Sequence, residues 1–341
     1  MPMPSEVIAL DVMGGDKAPD EIGKGAIAAS LDLGAHIALV GPKEVLAFQM
    51  ERAREAGAAT ITPVEASQVV EMAESPTEAW RKKPDSSIAV GLRLHKEGKA
   101  AAFISAGNTG AIGTAALFTL GTMPGIERPA IATIFSTTDG KAAIFLDIGA
   151  NADCRPSFLL QFAQMGSDFM TKLFQVERPR VGLLSNGEEE SKGSKLVKES
   201  HALLKASNLN FIGNVEGFDV LNGKADVVVT DGFTGNVVLK LAEALTESIF
   251  LSLKDALINS PLARASKFLW GPPIKSVVKQ WDYSNIGGAP LLGVNGNVIM
   301  AHGRSDADDV KHAIEFSLRM IREGWLQPSG MNPKTQVSHQ S

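Results

Sequence analysis

Apolar residues follow two alternating rhythms along this chain. Short apolar runs bounded by Gly, Asn, Asp and Ser predict strands near residues 6–11, 35–40, 101–104, 130–136, 142–147, 180–184, 210–213, 225–230 and 297–301. Between them, stretches with an apolar residue every third or fourth position predict helices near 20–32, 43–56, 86–97, 109–120, 156–173, 191–206, 235–258 and 306–323. Strands alternating with helices argue for an α/β protein with a largely parallel sheet under helices. There is no tandem repeat and no low-complexity linker. Residues 1–326 read as one α/β unit, and the polar stretch 327–341 as a disordered tail.

The strands end alike. Val7–Leu10 runs into Asp11-Val-Met-Gly-Gly-Asp-Lys17, and Ala101–Ile104 into Ser105-Ala-Gly-Asn-Thr-Gly110. Ile144–Leu146 runs into Asp147-Ile-Gly-Ala-Asn151, Val181–Leu184 into Ser185-Asn-Gly-Glu188, and Ala225–Thr230 into Asp231-Gly-Phe-Thr-Gly-Asn236. Such turns lie at the carboxyl edge of a parallel sheet beside helix N-termini, where free N–H groups and the helix dipole favour an anion. Their repetition predicts one shared polar crevice.

Charge narrows the options. The net charge of −5 over 341 residues gives no general attraction to nucleic acid. One cysteine, Cys154, excludes an internal disulfide and suits a reducing compartment. The start, Met1-Pro-Met-Pro-Ser-Glu6, lacks the form of a signal peptide, and no apolar run is long enough to span a bilayer, so a cytoplasmic protein is expected. Residues 254–282 stand apart. Lys254, Arg264, Lys267, Lys275 and Lys279 outnumber Asp255 and Asp282, with Phe268, Trp270 and Trp281 interleaved. An inserted helical or interface segment near 254–285 is expected there. A helical pair with ordinary lysines and a docking surface for an acidic partner or a membrane are weighed equally.

Several chemistries lack their residues. Gly14-Gly15 is not G-x-G-x-x-G, and there is no G-x-x-x-x-G-K-[ST], H-E-x-x-H or G-x-S-x-G. The six histidines are scattered. No metal or nicotinamide cofactor is therefore expected. What remains is a crevice of Gly, Asn, Thr and Ser with a few cations, suited to holding a small anion and stabilising an oxyanion. Were phosphate the nucleophile, positioning it would suffice without a covalent enzyme intermediate. Lys17 is a candidate to neutralise phosphate, set against an ordinary surface lysine. Lys192 and Asn186, flanking Glu188–Glu190, are candidates to reach the crevice. Asp11, Asp147 and Asp231 are read first as acceptors for turn N–H groups. Ser305 and Asp308 fit a capping box, which weighs at least equally against a catalytic Ser305.

These residues resemble the bacterial phosphate acyltransferase family of phospholipid synthesis. The matching segments are Asp11–Pro19, Ser105–Gly110, Asp147–Cys154, Gly187–Glu190, Asp231–Asn236, Gly287–Gly296 and His302–Ser305, spread in the family's order over nearly the whole chain. Val12 stands where Ala is usual, and Phe218 where Arg is common. The resemblance implies acyl transfer from acyl carrier protein to inorganic phosphate. It also implies a three-layer α/β/α sandwich of the isopropylmalate dehydrogenase and phosphotransacetylase kind, a homodimer and a peripheral membrane contact. The candidate catalytic set is Asn236, Thr234, Asp231 and Lys192. The candidate substrate-binding set is Gly14, Gly15, Asp16, Lys17, Ser105, Asn108, Thr109, Asn151, Asn186, Gly288, His302 and Ser305. Arg264, Lys267 and Lys275 are the candidate docking cations for carrier protein. The alternatives are a phosphotransacetylase using acyl-CoA and an anion-binding protein without catalysis.

Overall fold

A computed structural model describes residues 6–259 and 287–325. The tail and most of the 254–282 segment, including Arg264, Lys267 and Lys275, lie outside the described residues. Eleven strands form one sheet among them. In chain order these are β1 (Val7–Asp11), β2 (His36–Gly41), β3 (Ile61–Glu65), β4 (Ala102–Ser105), β5 (Ala130–Ser136), β6 (Ala142–Leu146), β7 (Arg180–Leu184), β8 (Asn210–Val215), β9 (Val227–Val229), β10 (Ala289–Leu292) and β11 (Val298–Met300). Their spatial order is β3-β2-β1-β4-β11-β10-β5-β6-β9-β7-β8.

The helices are α1 (Asp20–Leu33), α2 (Lys43–Ala56), α3 (Pro76–Lys82), α4 (Ser87–Lys96), α5 (Thr109–Leu120), α6 (Pro156–Phe174), α7 (Lys195–Lys205), α8 (Gly217–Leu221), α9 (Gly232–Asn259) and α10 (Ala307–Arg322). One apolar core packs α1, α2, α6, α7 and α10 on one face of the sheet. A second packs α3, α4, α5, α8 and the start of α9 on the other. This is the expected three-layer sandwich. No helix among the described residues is long and apolar enough to cross a membrane.

Local chemistry sets the element ends. Ser86, Asn108 and Ser194 each accept an N–H of the first turn of α4, α5 and α7. Gly34 and Gly57 close α1 and α2 in the left-handed conformation. Four elements were not predicted. Two are the short helices α3 and α8. The others are β3 and β10, which carry Pro63 and Pro290. Proline is tolerated in β3 because β3 is the sheet's outermost strand.

The middle of the sheet decides where the turns go. β1, β2, β3, β4 and β11 run parallel. β10 is antiparallel to both β11 and β5, and β5 is antiparallel to β6. β9, β7 and β8 then run parallel to β6. The carboxyl ends of β1, β4 and β11 therefore leave one edge of the sheet, while those of β6, β9 and β7 leave the opposite edge. The single crevice expected from repeated turns is two groups of turns.

Candidate functional site

The first group gathers Gly14, Gly15, Asp16, Lys17, Ser105, Asn108, Thr109, Gly288, His302 and Ser305. Its framework is buried. Ser105 Oγ donates to Asp11 Oδ2 at 2.7 Å and accepts from Gly107 N at 3.1 Å. Ser105 is fully buried, so its hydroxyl holds two turns together rather than facing a ligand. Desolvation by burial pushes the Asp11 carboxyl above its ordinary value, against the pull of the Ser87, Ser105 and Met13 donors. Gly14 is required by close approach: a Cβ there would sit 2.7 Å from Gly107 N. Gly15 has φ +100° and abuts the Gly303 carbonyl, to which Asp16 N donates at 2.7 Å.

Asn108 has a fuller role than expected. Its Oδ1 accepts from Ala111 N at 3.0 Å and caps α5. Its Nδ2 donates to the carbonyls of Glu71, Met72 and Glu74 at 3.4, 3.0 and 2.9 Å. The residue thus pins the 71–75 loop beside the cradle. Thr109 and Gly110 are exposed at the start of α5. Their N–H groups, at the first turn of the helix, have no acceptor among the described residues. Lys17 and His302 are exposed, and His302 Nδ1 accepts from Arg304 N at 3.2 Å. Ser305 is buried. It is not the cap of α10: Asp306 accepts from Asp308 N and Asp309 N, and Asp309 returns a bond to Asp306 N. The capping box lies one residue later than the sequence pattern suggests.

The second group gathers Asn151, Asn186, Lys192, Asp231, Thr234 and Asn236. Asp147, fully buried, accepts from Ile131 N, Gly149 N and Ala150 N through Oδ1, and from Asn151 N and Nδ2 through Oδ2. Burial raises its pKa while these donors pull it down. Asn151 Nδ2 also reaches the Pro129 carbonyl at 2.8 Å. Asn151 is therefore tied into the framework.

At the start of α9, Asp231 accepts from both Thr234 N and Thr234 Oγ1 at 2.8 Å. The anion favoured by this helix terminus is the chain's own carboxylate. Asn236 Nδ2 donates to the Ile148 carbonyl at 3.0 Å. Gly235 has no room for a side chain, because a Cβ would fall 1.9 Å from the Asp147 carbonyl oxygen. The Cys154 thiol nearby is pushed up to about 12, mainly by burial, which disfavours the thiolate. Asn186 Oδ1 accepts from Gly193 N at 2.8 Å. Asn186 and the exposed Lys192 line a cavity of about 470 Å³ with Glu188, Glu189 and Glu216.

The distance between the groups can be gauged along α9. Arg304, next to the first group, pairs with Glu247 at 3.5 Å. Glu247 is about 22 Å along the helix from Gly232 in the second group, at 1.5 Å per residue. Sequence reasoning missed Met72 and the 71–75 loop, which carry no motif and are held beside the first group by Asn108.

A family model described as "Fatty acid synthesis protein" matches residues 6–327. A phosphate acyltransferase of Heliobacterium modesticaldum is 48% identical over 94% of this chain and 95% of its own length. One from Pelotomaculum thermopropionicum is 45% identical over 94% and 93%. Among solved structures, a phosphotransacetylase from Streptococcus pyogenes aligns with a TM-score of 0.65 at 17% identity, over 93% of this chain and 94% of that one. Another from Staphylococcus aureus gives 0.60 at 16% identity, over 93% and 95%. These structural likenesses carry the fold alone.

Proposed function

The chain belongs to the phosphate acyltransferase family of fatty acid synthesis proteins, and on that premise we propose that it moves a fatty acyl group from acyl carrier protein to inorganic phosphate. The observation that carries this reading is the match to named phosphate acyltransferases at 48% identity across almost the full length of both chains. In the reaction, a phosphate oxygen attacks the thioester carbonyl carbon. The C–O bond forms, the C–S bond breaks, and the proton of hydrogen phosphate passes to the departing thiolate. The products are an acyl phosphate and the free thiol of the carrier.

The open Thr109 and Gly110 N–H groups with Lys17 supply an anion cradle suited to phosphate. Asn236, Thr234, Asp231 and Lys192, the candidate catalytic residues, belong to the opposite edge of the same copy. A homodimer that sets one copy's first group against its partner's second group reconciles the two. Support comes from α9, which spans from one group to the other and leaves Val237, Leu241, Leu245, Ile249 and Leu253 exposed. Such apolar surface calls for a cover. The cationic excess of residues 254–282 favours attraction of the acidic carrier protein, and their apolar residues a peripheral membrane contact.

The test is acyl phosphate formation from acyl carrier protein and phosphate, compared with acyl-CoA as donor. Lys17→Ala and Lys192→Ala are each expected to lose turnover by on the order of a hundredfold. Mixing the two variants should restore roughly a quarter of the wild-type rate, because half of the randomly formed dimers carry one intact site. Exclusive use of acyl-CoA would replace the reading with a phosphotransacetylase. No recovery on mixing would place both lysines in one copy's site, or one of them outside it.

A further inference from the structure

The anion cradle has an apolar track leading away from it. Met72 sits on the loop pinned by Asn108 and is 49% exposed. Its Cε lies 3.5 Å from where a Cβ on Gly303 would be, so the side chain hangs over the first group of turns. Immediately after this loop, Pro76 opens α3 and packs on Gly110 of α5, where a Cβ would come within 2.7 Å of its ring. One turn further along α3, Trp80 stacks on Phe118 of α5, with ring centroids 6.0 Å apart and planes within 12°. Phe118 is 61% exposed.

These groups run from the open N–H donors of Thr109 to Phe118, a span of about 14 Å along α5. An exposed Met and an exposed Phe stacked on a half-buried Trp, beside a polar reaction cradle, suit a flexible hydrocarbon.

We propose that Met72, Trp80 and Phe118 form the track that receives the donor's acyl chain, and that Asn108 is the positioning residue that holds Met72 over it. The inference rests on the phosphate acyltransferase reading and on the cradle at Thr109. The polar end of the acyl group meets phosphate at the cradle, and its hydrocarbon tail lies across Met72 towards the Trp80–Phe118 pair. Preference among chain lengths follows from how much of this track a donor covers.

The experiment compares long-chain and short-chain acyl carrier protein donors on the full-length enzyme. Met72→Ala and Phe118→Ala each lower kcat/KM for the long-chain donor by roughly tenfold or more, as expected from losing burial against a large apolar side chain. The short-chain donor and the KM for phosphate change little. Met72→Leu restores the long-chain preference. Asn108→Ser keeps a helix-capping hydroxyl but removes the amide that holds the loop, and it lowers the ratio of long-chain to short-chain kcat/KM. Equal losses for both donors, or none, overturn the track. An Asn108→Ser enzyme with an unchanged chain-length profile overturns the positioning role. Wild-type enzyme that makes no acyl phosphate from either donor would overturn the functional reading instead.

Discussion

Asp147 ties together β5, β6 and the turn that follows β6 by accepting N–H groups from Ile131, Gly149, Ala150 and Asn151. Removing it strands the buried Ile131 N–H and unties the turn at Gly149, Ala150 and Asn151 from the sheet. Asp147→Ala is expected to cost about 3 kcal/mol or more, read as a lower urea midpoint with an unchanged slope. A midpoint within error of the wild type would mean that the turn rebuilds its bonds elsewhere. The bonding role of the strand-end aspartates was legible in the sequence, because a short carboxylate before Gly-rich turns has few other partners. The fate of Ser105 was not. Its hydroxyl is consumed by Asp11, a residue on a different strand, and only the pairing of β1 with β4 brings them together. The partner of Thr234 was not legible either: its N–H and hydroxyl both donate to Asp231, three residues back.

Helices were the most readable elements, since apolar periodicity and caps such as Ser86, Asn108 and Ser194 mark both their faces and their starts. The start of α10 slipped by one because Ser305 and Asp306 offer competing caps, and the carboxylate wins by reaching two N–H groups at once. Strands with proline were lost, since Pro63 and Pro290 read as breakers until the neighbours of each strand are known. In α9, apolar side chains at 237, 241, 245, 249 and 253 promised a helix but not what covers it. Replacing Leu241 and Leu245 with Asp is expected to shift the protein towards monomer in sedimentation velocity and to lower turnover in step. An unchanged sedimentation coefficient would remove α9 from the subunit interface.

For the molecule as a whole, the α/β class follows from the alternation of elements, but the direction of half the sheet does not. That direction is set by three successive antiparallel pairings, β11 with β10, β10 with β5 and β5 with β6, which leave β6 running opposite to β11. A pattern of turns cannot reveal it, and so the two groups looked like one crevice. The same strands carry a consequence for how the chain comes to be made. β11 pairs with β4, whose residues are synthesised roughly two hundred positions earlier, and β10 closes onto β5. Until the ribosome has passed residue 300, the inner edges of β4 and β5 are open, and both strands are mostly apolar. A chain ending at residue 286 should therefore be recovered mainly as aggregate rather than as a stable half-molecule. A soluble, folded fragment would show that the two halves are independent. The keystone of this sheet is laid last, so the growing chain must be sheltered longest when it is nearly complete.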